Sequence, residues 1–237
     1  MRVMEIQGST VLVTGANRGL GRHLVHALLA RGAAKVYAAS RTPAPASDPR
    51  VVAIALDLTR KDTIAAAAQA ASDATIVINN AGTAAFAGPL DASRDAVRSE
   101  MAVNYDGTFD VVRAFVPLLE RHGGGAIVNV LSLLSLASTP PMAGYSASKA
   151  AAHSLTQALR PVLREKGISV HGVYPAGIDT DMLAGVDAPK TPPAQVAQAL
   201  LDGLANDQED IFPDPNATAM SEIWRSDPKA FERAFAA

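Results

Sequence analysis

Tyr145 and Lys149 stand four residues apart in Tyr145-Ser146-Ala147-Ser148-Lys149, a spacing that puts a phenol and an ammonium on one helix face. A free tyrosine has a pKa near ~10 and is a poor base at neutral pH. A neighbouring cation favours the phenolate and lowers that value, so the pair can give or take a proton near neutrality. The same spacing also arises in surface pairs, and its meaning depends on context. Ser132 lies just past Asn129-Val130 and thirteen residues before Tyr145. A hydroxyl there could hold a reacting oxygen beside the phenol.

A second constellation lies near the start of the chain. Thr10-Val11-Leu12-Val13-Thr14 reads as a buried strand, and Leu24, Val25, Leu28 and Leu29 recur at helical spacing. Between them runs Gly15-Ala16-Asn17-Arg18-Gly19-Leu20-Gly21, a GxxxGxG spacing rather than GxGxxG. Three glycines let the backbone turn sharply and approach a pyrophosphate at a helix N-terminus. A glycine-rich turn without a ligand is the plainer account. The second strand ends in Ser40-Arg41, where an NAD site typically carries an acid for the ribose 2′-hydroxyl. Arg41, with Arg18 from the glycine loop, could clamp a 2′-phosphate; both could equally be solvated cations. After the third strand, Asp57 and Leu58 could meet an adenine, although Asp57 alone reads better as a turn cap. Asn79-Asn80-Ala81-Gly82 closes the fourth strand.

The elements that position these groups alternate. Strands are expected at 35–39, 51–56, 75–78, 126–130 and 168–173, with helices from about Asp62, from Arg94 to about Glu120 and from Tyr145 to about Lys166. Such alternation means a parallel sheet covered by helices on both faces. No linker or repeat divides the chain, so a single doubly wound α/β domain is expected over 1–237, with a substrate-side segment at about 176–237. Of 237 residues 49% are hydrophobic, enough for a large core, and the net charge of -2 gives no footprint for nucleic acid or an anionic membrane. The sequence has no cysteine, which excludes disulfides, thiolate zinc sites and a thiol nucleophile. The five histidines show no ligand spacing, and no metal is expected. A cytoplasmic location is expected from the absence of a signal-like or spanning run.

Taken in order, Gly15 through Gly21, Asn79 through Gly82, Asn104, Ser132, Tyr145 and Lys149 resemble the motif set of the short-chain dehydrogenase/reductase family, of NADP(H)-dependent type. The resemblance runs to about Met182 and implies a Rossmann-type fold. It implies that Tyr145 is the general acid/base, that Ser132 stabilises the reacting oxygen, and that Lys149 binds the nicotinamide ribose and lowers the tyrosine pKa. Asn104 resembles the helix asparagine that holds a relay water. Pro175, Ile178 and Thr180 resemble the nicotinamide-contacting segment. Asn80, Ala81 and Gly82 join Gly15, Asn17, Arg18, Gly19, Leu20, Gly21, Ser40, Arg41, Asp57 and Leu58 as cofactor contacts.

The implied activity is reversible reduction of a ketone or aldehyde by NADP(H). NAD-linked alcohol oxidation is the alternative, and a non-catalytic cofactor sensor a third reading. Phe86, Leu133, Leu134, Leu136, Met142, Met182 and Leu183 suggest an apolar pocket and hence an apolar or aromatic small-molecule substrate, or could equally be core. Three features depart from the family pattern: Ala176 before Gly177, Pro161 inside the long helix where a kink is expected, and the proline-broken Ile211-Phe212-Pro213-Asp214-Pro215. The last makes a tetramer doubtful and a homodimer the expected assembly. Trp224 is expected to anchor the last helix.

Overall fold

The computed structural model describes residues 5–236. Seven strands form one parallel sheet: β1 (Thr10–Thr14), β2 (Lys35–Ser40), β3 (Val51–Ala55), β4 (Ile76–Asn79), β5 (Gly125–Val130), β6 (Ile168–Val173) and β7 (Asp210–Ile211). Their order is β3-β2-β1-β4-β5-β6-β7. The order reverses between β1 and β4, which opens a crevice at the carboxyl ends of those strands, where ligands bind in such sheets.

Successive strand residues point to opposite faces, and this divides the core. Val11, Val13, Ile76, Ile78 and Val128 face one layer, packed with Leu24, Leu28, Leu200 and Leu204. Those last four belong to α1 (Gly19–Ala30) and α6 (Pro193–Ala205). Leu12, Val77 and Ile127 face the other layer with Ile64, Phe115 and Leu163. These come from α2 (Lys61–Ala70), α4 (Gly107–Arg121) and α5 (Ala143–Arg164). Burial on both faces explains why the central strands are unbroken apolar runs.

The region expected to be one helix from Arg94 is α3 (Arg94–Met101), a π-helical turn over Ala102–Asp106, and then α4. α5 continues through Pro161 to Arg164, so the proline does not end it. The helix is tied down at its far half. Arg160 donates to Asp210 at 2.5 Å, the Tyr174 hydroxyl donates to the same oxygen at 3.1 Å, and His153 Nδ1 lies 2.9 Å from that hydroxyl. β7 is only two residues long. Beyond it α7 (Pro215–Ser226) and α8 (Pro228–Ala234) cover the sheet end through Ala217, Phe231 and a partly buried Trp224, consistent with an anchoring role for Trp224. Among the described residues no helix is long and apolar enough to cross a membrane.

Candidate active site

The floor of the crevice is the glycine loop after β1. Gly15 has φ +67 and Gly19 φ +51, the left-handed region that side chains avoid. A Cβ on Gly15 would stand 2.9 Å from Ala81 Cα, and one on Gly21 would stand 2.1 Å from the Gly15 carbonyl oxygen. The loop is therefore pressed against the turn after β4. Thr14 and Asn80 lock the two together. The Thr14 hydroxyl accepts the backbone N–H groups of Asn80 and Ala81, each at 3.0 Å, and Asn80 Nδ2 donates to the Thr14 carbonyl at 2.8 Å. Leu20 is buried in the core below, 7% exposed, so its side chain anchors the loop and only its backbone faces the crevice. Asn17 is exposed and donates to the Thr42 carbonyl.

At the end of β2, Ser40 is buried and its hydroxyl has no partner. Buried hydroxyls without partners are uncommon, and this one lies at the end of β2 beside the glycine loop, where the Ala16 N–H donates to the Ala39 carbonyl at 3.1 Å. The close-pressed glycines and the orphan hydroxyl together fit a dinucleotide. Arg41 is exposed beside them.

Two residues on this side are engaged within the protein. Arg18 is turned toward Asp181, 3.7 Å away across the crevice mouth, both side chains being exposed. Gly19 touches Thr180 from the same loop, since a Cβ there would meet Thr180 Cγ2 at 3.3 Å; this adjacency brings Arg18 to Asp181. Asp57 caps its own turn: Oδ1 accepts the Thr59 N–H at 3.0 Å and the Thr59 hydroxyl at 2.7 Å. Those two bonds hold its carboxyl below the usual range, with Arg41 and Arg60 adding charge. Leu58 packs into the helical layer, close against Gly107, so that much of its apolar surface is already used.

Tyr145, Lys149 and Ser132 meet at the carboxyl end of β5. Ser132 is 8% exposed and its hydroxyl accepts the Leu134 N–H at 3.1 Å. Burial pushes the Tyr145 phenol up to about 12, the Ser132 hydroxyl pulls it down, and the Glu100 carboxylate adds to the rise. Burial alone brings Lys149 down to about 8. The Lys149 ammonium donates to the Val130 carbonyl at 2.7 Å and stands 5.8 Å from the centre of the Tyr145 ring. In the protein alone the Ser132 hydroxyl lowers the phenol, while the Lys149 ammonium is held by a backbone carbonyl.

Asn104 lies in the π turn, 1% exposed. Its Oδ1 accepts the Thr83 N–H at 2.9 Å, and its Nδ2 donates to the Thr83 carbonyl at 2.8 Å and the Ser148 hydroxyl at 2.9 Å. Both side-chain donors are committed, and this amide clamps the loop after β4 to α5. Gly82 leaves room for the cluster, a Cβ there lying 3.1 Å from Asn104 Oδ1 and 3.5 Å from Lys149 Nζ.

Pro175 is buried, and its carbonyl accepts the Leu133 N–H at 3.1 Å. Ile178 pairs with Thr191, and Thr180 adjoins the glycine loop. Thus all three lie along the crevice rim. Sequence reasoning missed Asp214, 4% exposed, which accepts the Ala176 N–H at 2.9 Å and the Ala217 N–H at 2.8 Å. It ties the Pro175–Thr180 rim to the cap of α7. It also missed Glu100, 2% exposed against the helix of Tyr145. On the outer side, Phe86 is 50% and Met182 40% exposed, whereas Leu133 is buried in the core. After Thr180 comes only a single 3-10 turn, Asp181–Leu183, before α6 begins at Pro193. Among the described residues no group of three or more His, Cys, Asp or Glu could hold a metal ion.

Comparison with known proteins gives a consistent picture. A family model described as "short chain dehydrogenase" matches residues 9–191. A short chain dehydrogenase from Burkholderia cenocepacia, solved in complex with NADP, is 40% identical with a TM-score of 0.93; the match covers 99% of this chain and 100% of that one. Galactitol 2-dehydrogenase (L-tagatose-forming) of Cereibacter sphaeroides is 34% identical over 191 residues, 76% of this chain and 75% of that protein. L-rhamnose 1-dehydrogenase (NAD(P)(+)) of a Sphingomonas species is 33% identical over 191 residues, 75% of each.

Proposed function

The chain belongs to the short-chain dehydrogenase family of oxidoreductases, and from that premise we propose that it reversibly reduces a ketone or aldehyde with NADP(H), Tyr145 serving as general acid/base. The observation that carries this reading is the convergence of Tyr145, Ser132 and Lys149 at the carboxyl end of β5, beside a glycine floor that fits a dinucleotide. NADP(H), when bound, supplies or accepts the hydride. Gly15, Gly19, Gly21 and the start of α1 would hold its pyrophosphate at a helix N-terminus. Ser40 and Arg41 would take the 2′-phosphate, since no acid stands at the end of β2 to bind a ribose hydroxyl. Asn80, Ala81, Gly82, Pro175, Ile178 and Thr180 would frame the rest, with Lys149 on the nicotinamide ribose.

In reduction the Tyr145 phenol gives its proton to the carbonyl oxygen, and in oxidation the phenolate removes one from the alcohol. A phenol raised to about 12 carries its proton at neutral pH, as the reduction requires. An ammonium swung from Val130 toward the ribose would add positive charge beside it and make the phenolate accessible. Ser132 donates to the same substrate oxygen and fixes it beside the phenol.

Exposed Phe86 and Met182 and the short turn after Thr180 favour an apolar or aromatic substrate. A polyol or sugar is the second reading, supported by what the two curated relatives act on. Following cofactor absorbance with NADPH against a panel of apolar, aromatic and polyhydroxylated ketones tests both. No turnover of any carbonyl with NADPH or NADH would remove the enzymatic reading.

A further inference from the structure

Glu100 closes α3, and its side chain is turned inward at 2% exposure. One carboxylate oxygen accepts the Ala85 N–H at 2.7 Å, in the loop after β4. The other lies against Gly144: a Cβ built there would stand 2.2 Å from Oε2. Gly144 is in the first turn of α5, one residue before Tyr145, and that turn has neither a side-chain cap nor an acid of its own. A carboxylate borrowed from α3 thus sits near the positive end of the helix that carries the phenol. None of the ion pairs among the described residues includes Glu100. A buried charge without a cation is costly, and its place beside the reacting group gives it something to act on.

We propose that Glu100 is a positioning residue for proton transfer: bonded to the loop after β4 and pressed against the first turn of α5, it sets a carboxylate beside the turn that carries Tyr145. This rests on Tyr145 being the acid/base group. The groups acting on the phenol are Glu100 from α3 and Ser132 after β5; Lys149 from α5 stands 5.8 Å from the ring centre with its ammonium turned to Val130, and uncharged Asn104 from the π turn is bonded to Ser148. Glu100 raises the phenol and Ser132 lowers it. Gly144 belongs to the same device, because any side chain there would displace the carboxylate.

The test is Glu100→Gln, which keeps the shape and the acceptor for Ala85 but removes the charge. Tyrosinate absorbance is read at a fixed alkaline pH at which circular dichroism shows the folded protein. Each protein is compared with its own Tyr145→Phe version, so that the other three of the four tyrosines cancel. The ionised fraction of Tyr145 should rise about threefold, half a pKa unit, and Glu100→Asp, which keeps the charge, should lie between Gln and wild type. If Glu100→Gln does not fold, Glu100→Asp against wild type must still show a smaller rise in the same direction. Equal ionisation in all proteins, or less in the Gln variant, overturns the proposal. The titration needs no substrate, so a failed search for a carbonyl substrate does not touch it. Where a substrate is in hand, the alkaline limb of carbonyl reduction should move to lower pH in Glu100→Gln.

Discussion

Lys149 stands 5.8 Å from the centre of the Tyr145 ring, yet its ammonium donates to the Val130 carbonyl at the end of β5. The pair that the spacing places on one helix face is thus an arrangement of two separately held groups. Burial disfavours the charged form of each, raising the phenol and lowering the ammonium.

That relationship has a consequence for stability. Lys149 falls from its ordinary 10.5 to about 8. Below about 8 both folded and unfolded chains carry the proton, and the folded state bears the full cost of the buried charge. Between about 8 and 10.5 the unfolded chain binds more protons, so stability rises with pH. The raised phenol works in the opposite direction only above the ordinary tyrosine value near ~10. Without cofactor, the wild type should therefore gain Tm relative to Lys149→Met between about pH 8 and 10. Parallel Tm curves would show that the ammonium is not desolvated.

Cofactor choice should reside in Arg41. Arg41→Ala is expected to weaken NADPH binding by roughly 1.5–3 kcal/mol, the worth of a hydrogen bond to a charged group, and to leave NADH nearly unchanged. Fluorescence titration of both cofactors measures this. Equal losses would mean that Arg41 does not read the 2′-phosphate.

The glycine floor should tolerate no side chain. Gly21→Ala places a Cβ 2.1 Å from the Gly15 carbonyl, so the loop must move off the turn after β4. NADPH affinity should fall at least about tenfold, or ~1.4 kcal/mol, with circular dichroism unchanged. Undiminished binding would mean that the cofactor does not lie on this loop.

The frame of this site was legible because parallel strands buried on both faces read as apolar runs, and because glycines after β1 mark where backbone must approach backbone. What escaped the sequence was the fate of buried charge. Glu100 follows the charged and polar Arg98-Ser99, where a carboxylate reads as solvated, yet it is buried. Asp214 lies between two prolines and read only as a broken strand. The π turn at Asn104 was not read from the sequence either. Asp57 is a case where the sequence left a turn cap open, and its carboxylate does accept two bonds from Thr59.

Substrate preference follows from the mouth of the crevice. With Phe86 and Met182 exposed and only the Asp181–Leu183 turn beside them, bulky aromatic ketones should be accepted. Apolar walls discriminate by only ~1–3 kcal/mol per methylene, so kcat/KM should vary gently across apolar ketones. A strong preference for a small hydroxylated ketone over every aromatic one would rule out the open apolar pocket and favour the polyol reading.

Replacing Tyr145 by Phe tests the central claim most directly, because it keeps the ring and deletes only the transferable proton. On the best carbonyl substrate with NADPH, kcat should fall at least about a hundredfold, the scale of general acid–base catalysis, while NADPH binding stays close to wild type. Turnover near the wild-type rate would contradict the account, since the phenol would then not be the group that moves the proton.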